Sequence, residues 1–165
     1  MKTIILIGMM GSGKTTIGKI LGEKLNIESF DIDSIIEAQT NKSVSEIFSS
    51  YGEIYFRELE KNTIKEIFKP DNKIISLGGG AFENNETRNL LLNNSTIIYL
   101  KTSPITIYER IKNDTQRPLL KNKMSIKKIT ELINLRQKNY ELANLHISTD
   151  NKRPNTIINE ILGAL

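Results

Sequence analysis

Gly8-Met9-Met10-Gly11-Ser12-Gly13-Lys14-Thr15 fits G-x-x-x-x-G-K-[ST] and lies between an apolar run and an amphipathic stretch. Glycines in such a loop let successive backbone N–H groups curl around phosphate oxygens. The helix expected to follow turns its positive N-terminus toward the same anion. Lys14 can reach β- and γ-phosphates, and the Thr15 hydroxyl can ligate Mg²⁺. This motif, in this context, predicts binding of a nucleoside triphosphate.

The remaining candidates narrow the chemistry. No Asn-Lys pair continues into the Asn-Lys-x-Asp base reader of guanine-specific switches, and the apolar runs near 77 and 100 end in Gly78 and Lys101 rather than in an acid. Asp31-Ile32-Asp33 is the acid pair at a strand end. On an extended segment both carboxylates project to one side, where one can hold the metal's water shell and the other accept a proton from a substrate hydroxyl. Asp33 alternatively caps a helix beginning at Ser34. Gly78-Gly79-Gly80 follows a buried run, so its backbone can approach a ligand closely, although a ligand-free tight turn needs the same residues. Arg57 and Glu60, at i and i+3, can pair on one helix face, either to fix the guanidinium or as a weak surface bridge. Arginine is sparse here, six residues against 23 basic ones in all, so each can mark a place that needs a planar bidentate fork, although Arg136 can equally be a solvated surface residue.

Short β-rich apolar runs at Thr3–Ile7, Lys73–Leu77, Thr96–Leu100 and Leu145–Ser148, with a shorter segment at Ser29–Asp31, read as strands. Helical spacing appears over Lys14–Leu25, Ile54–Phe68 and Ile126–Leu142, and Pro154 suits the first turn of a last helix. Ser43 and Glu46 form a capping box that opens a short helix. Alternating strands and helices predict an α/β fold with a parallel sheet covered on both faces and ligands beyond the carboxyl ends of its strands. Residues 113–124, with Arg117-Pro118 and two lysines, read as a mobile basic loop suited to a lid. His146 lies in an apolar run and reads as structural.

The chain has 165 residues, 38% hydrophobic and 25% charged, with a net charge of +4. That composition predicts one domain, residues 1–165, with an ordinary core. Scattered acids among the bases read as a solvated mixed surface, so neither nucleic acid nor a membrane is an expected partner. The chain has no cysteine, which removes disulfides and thiolate chemistry, and no apolar run approaches the length of a membrane span. Cytoplasm and a monomer are the expectations.

Taken together, the motifs resemble the shikimate kinase family. The resemblance rests on the P-loop with Thr15-Thr16 after its lysine, Asp31/Asp33, Phe56-Arg57 with Glu60, the triple glycine, Arg117-Pro118-Leu119-Leu120, and Arg136 with Tyr140, all in order and register. It implies a three-layer P-loop kinase fold, a five-stranded parallel sheet in order 2-3-1-4-5 flanked by helices. It also implies substrate-binding helices over about 32–62 and a lid over about 113–124. The implied activity is transfer of the γ-phosphoryl of ATP to the 3-hydroxyl of shikimate. Asp33, Lys14 and Arg117 would then be catalytic, and Arg57, Arg136 and Gly79 would hold shikimate with Asp33. Phe48 and Phe56 would pack against its ring. Gly11, Ser12, Gly13, Lys14, Thr15, Thr16, Arg110, Arg117 and Arg153 would bind ATP, with Pro154 beside the adenine. Mg²⁺ would be ligated by Thr15 and, through water, by Asp31. A gluconate-type sugar-acid kinase and a catalytically silent nucleotide-binding regulator are the alternatives.

Overall fold

The computed structural model describes residues 2–69, 71–112 and 125–165. The segment expected as a lid, 113–124 with Arg117, lies outside the described residues. β1 (Ile4–Ile7) is buried at every position, as a β-branched run covered on both faces should be. β2 (Glu28–Asp31), β3 (Lys73–Ser76), β4 (Thr96–Lys101) and β5 (Leu145–Ser148) join it in one parallel sheet, order β2-β3-β1-β4-β5. Ile5 pairs with Ile75 on one side and Ile97 on the other.

Period-two alternation divides the strand side chains between two cores. Ile4, Leu6, Ile74 and Ile98 face α1 (Lys14–Leu25) and α7 (Pro154–Ala164), which contribute Ile17, Leu21, Ile157, Ile158 and Ile161. Ile5, Ile7, Ile75 and Ile97 face the opposite layer. That layer comprises α2 (Ile32–Thr40), α3 (Val44–Ile67), α4 (Asn85–Asn94), α5 (Pro104–Ile111) and α6 (Ile126–Tyr140). The expected three layers and strand order are therefore present. Truncating one of these central isoleucines to alanine costs about 2–5 kcal/mol.

Two local expectations are corrected and one is met. The strand at Asp31 does not continue through Asp33; α2 begins at Ile32, and its cap is Asp31, whose Oδ1 accepts from Ser34 N at 3.1 Å, rather than Asp33. Ile32, between the two acids, is fully buried in the core. The helix after Ser43 is short, as expected: α3 is two helices joined at Gly52, where φ 82° and ψ 171° lie outside the helical region, and the second helix then runs on to Ile67. The capping box itself forms, with Ser43 N donating to Glu46 Oε2 at 2.6 Å and Glu46 N to Ser43 Oγ at 3.2 Å. Two further helices arise beyond those expected. α4 is asparagine-rich and starts on Asn84, which accepts from Thr87 N; α5 starts on Ser103 with Pro104 in its first turn. Among the described residues, no helix is long and apolar enough to cross a membrane.

Candidate active site

A cavity of about 440 Å³ opens beyond the carboxyl ends of β1, β2 and β3. One wall is the β1–α1 loop. Gly8, Gly11 and Gly13 take φ of 147°, 75° and 95°, a path closed to most side chains, and Gly13 hands directly over to α1. The first-turn N–H groups of α1 have no helical acceptor, so this wall favours an anion. Lys14 Nζ donates to the carbonyls of Gly8 and Met9, each at 2.9 Å, which holds the ammonium against the loop. Ser12 is buried in the loop, while Gly11, Gly13, Lys14, Thr15 and Thr16 line the cavity.

The second wall comes from β2 and α2. Asp31 Oδ2 accepts from Thr15 Oγ1 at 2.6 Å, placing a carboxylate and a hydroxyl side by side at the mouth of the loop. Both are hard oxygen donors, the type Mg²⁺ takes in ones and twos beside phosphate and water, so the pair fits that cation. Asp33 stands in the first turn of α2 and Glu37 one turn on, and both line the cavity. Glu37, which the motifs did not single out, accepts from Val44 N at 2.8 Å and ties α2 to the start of α3. Its i+4 spacing from Asp33 was the available signal.

The third wall is the triple glycine, and the reason for three glycines is space. A Cβ on Gly78 would lie 2.9 Å from Asp33 Oδ1 and closer still to Glu60 Oε1. On Gly79 it would meet Arg136 Nη1 at 3.3 Å, and on Gly80 Arg57 Nη2 at 2.5 Å. Each glycine thus accommodates a particular charged side chain. Arg57 donates to Glu60 Oε2 at 2.7 Å and lies over the rings of Phe48 and Phe56, 5.9 and 5.3 Å from their centroids. Phe48 lines the cavity; Phe56 is buried behind it with its ring centroid 4.7 Å away. Arg136 is 5% exposed, and no carboxylate of the described residues lies within 4.0 Å of its guanidinium. A buried guanidinium so placed, opening on a cavity, is suited to an anionic ligand.

Glu60 is no surface partner. It is 2% exposed, and burial pushes its pKa up to about 7 against the opposing pull of Arg57. Arg110 reaches back from α5 to the carbonyls of Gly11 at 3.0 Å and Thr149 at 3.3 Å, beside the loop but outside the cavity lining. Arg153 is exposed at the cap of α7, also outside the lining, and its side chain makes no hydrogen bond or ion pair with a described residue. His146 is exposed rather than packed inside its run, with Nδ1 3.2 Å from Glu141 Oε2 and its ring edge-on to Tyr99. It takes no part in the cavity.

The phosphate loop and a pocket of two arginines and a carboxylate thus share one cavity. The shikimate kinase family model matches residues 10–165. The chain belongs to the shikimate kinase family. It is 45% identical to the shikimate kinase of Sulfurihydrogenibium sp. strain YO3AOP1 over 98% of this chain and 96% of that one. A shikimate kinase from Acinetobacter baumannii, solved in complex with shikimate, superposes with a TM-score of 0.94 at 32% identity, covering 99% of this chain and 92% of that one. A gluconokinase from Sinorhizobium meliloti reaches a TM-score of 0.54 at 14% identity, covering 98% and 89%, and so shares the fold alone.

Proposed function

We propose that this shikimate kinase family member transfers the γ-phosphoryl of ATP to the 3-hydroxyl of shikimate, releasing shikimate 3-phosphate and ADP. The observation that carries the reading is the convergence of Asp33, Arg57 and Arg136 on Gly78–Gly80, in the cavity that the phosphate loop also lines.

Phosphoryl transfer asks a protein mainly for alignment and charge stabilisation. In this reading the loop N–H groups of Gly11, Ser12, Gly13, Lys14, Thr15 and Thr16 receive the phosphates, and Lys14 Nζ exchanges loop carbonyls for phosphate oxygens. Arg57 and Arg136 grip the shikimate carboxylate from two sides, as planar forks do. Glu60 keeps Arg57 in its plane, and Gly79 lets the ring approach the backbone. The ring then stands with its 3-hydroxyl at Asp33. The hydroxyl oxygen bonds to the γ-phosphorus as the bond to the β-phosphate oxygen breaks. The hydroxyl proton passes to Asp33, and ADP leaves. Mg²⁺, held by Thr15 and through water by Asp31, would neutralise charge on the phosphate oxygens. Arg117 is assigned to the transferring phosphates, and Arg110 and Arg153 to the adenine side. In this reading the working unit is a monomer.

The position of transfer is tested by proton–phosphorus correlation spectroscopy of the product. Coupling of phosphorus to the proton on carbon 3 is expected; coupling at carbon 4 or 5 would overturn the placement of Asp33.

A further inference from the structure

Tyr140 is 1% exposed at the end of α6, one turn beyond Arg136. Its hydroxyl donates to the carbonyl of Gly79, the middle residue of the triple glycine. The same hydroxyl lies 3.9 Å from Met9 Sδ, and Arg136 Nη1 lies 3.5 Å from that sulfur, so phenol and guanidinium share one buried corner. Asn139 Nδ2 donates to Glu83 Oε2 at 2.9 Å, which fastens the same helical turn to the residues just after the glycines. Burial raises the phenol pKa, so the group remains a donor at any working pH.

The Gly79–Gly80 peptide is trans, and a planar trans peptide directs its N–H opposite to its carbonyl. With the Gly79 carbonyl turned to Tyr140, the Gly80 N–H points away from α6. Among the described residues, none of the N–H groups of Gly78, Gly79 and Gly80 has an acceptor, and all three residues line the cavity. A peptide between two glycines meets little steric resistance to turning over, because neither residue carries a Cβ. Something outside the turn must select its orientation.

We infer that Tyr140 is a positioning residue for the acceptor acid. Its hydroxyl holds the Gly79–Gly80 peptide so that the Gly80 N–H faces the ring oxygens of shikimate and Arg136 stays seated over Gly79. The inference rests on the functional reading above and extends it to a side chain that touches no substrate.

Tyr140→Phe keeps the ring and removes only the donor. Its KM for shikimate is expected to rise about five- to twenty-fold, with KM for ATP within two-fold of wild type. Tyr99→Phe removes a hydroxyl from the adjoining ring, 4.9 Å away between centroids, and should leave both constants within two-fold. An unchanged shikimate KM in Tyr140→Phe, a parallel rise in both constants, or a variant that does not fold would each overturn the inference. A wild-type protein that does not turn over shikimate overturns the functional reading and this inference with it. Wild-type turnover beside an unaltered Tyr140→Phe overturns this inference alone.

Discussion

Arg57 Nη1 stands 2.7 Å from Glu60 Oε2, three residues on along α3, and the carboxylate is 2% exposed while the guanidinium borders the cavity. The pair therefore belongs to the interior, where one partner's loss leaves the other uncompensated. Glu60 also packs against Gly78, so the ion pair, the glycine turn and Asp33 form one unit.

That burial gives Glu60 a signature in stability. Its carboxyl titrates near 4.5 when unfolded and is pushed up to about 7 in the fold, so between those values the folded state binds more protons. The contribution is complete below pH 4.5 and is lost as pH rises through 7. Wild type should thus lose stability relative to Glu60→Gln, by on the order of a few kcal/mol, between pH 5 and pH 8. Urea unfolding of both proteins at those two pH values checks this, and a difference that does not move with pH would refute it.

Gly80→Ala separates space from backbone freedom. Gly80 has φ −109° and ψ −4°, which alanine adopts without strain, so the substitution acts through its methyl alone. That methyl would lie 2.5 Å from Arg57 Nη2 and 2.7 Å from Cζ, the mobile end of a long side chain. The fold should survive with a melting temperature within a few degrees, while KM for shikimate rises about ten-fold or more as Arg57 is displaced. Thermal melting and steady-state kinetics read the two effects separately.

Arg136→Ala should raise KM for shikimate about ten- to a hundred-fold, the range for hydrogen bonds to a charged group, with KM for ATP little changed. Arg136→Lys should recover only part of this, because an ammonium lacks the planar fork. Full recovery by lysine would mean that charge alone is used.

Asp33→Asn keeps size and hydrogen-bonding capacity but cannot accept the proton. Its kcat is expected to fall about 10²–10⁴-fold with a shikimate KM within a few-fold of wild type. Near-normal turnover would remove Asp33 from the proton's path.

Much of this was legible because it is local. The glycine spacing before Lys14 and the β-branched run over Ile4–Ile7 define loop and strand within a dozen residues, and strand–helix alternation then leaves few topologies. The acid pair was found, but its geometry was not: an aspartate at a strand end competes as a helix cap, and Asp31 turns the chain one residue before extension could carry Asp33. The triple glycine read as room for a ligand, whereas it also makes room for Glu60, Arg57 and Arg136, the last of them distant in the chain from Gly79, which it meets. The contact of Arg110 with Gly11 spans 99 residues and leaves no local trace. α4 rests on its cap and tertiary packing more than on its own periodicity, whereas α5 has an apolar stripe through Ile107 and Ile111 that is only two turns long.

The central claim is tested most directly by ADP release from Mg-ATP with shikimate, with gluconate and with no acceptor. Release that depends on shikimate, and remains at the acceptor-free level with gluconate, is the predicted result. Release stimulated by gluconate and not by shikimate would keep the phosphate loop and contradict the pocket built from Asp33, Arg57 and Arg136.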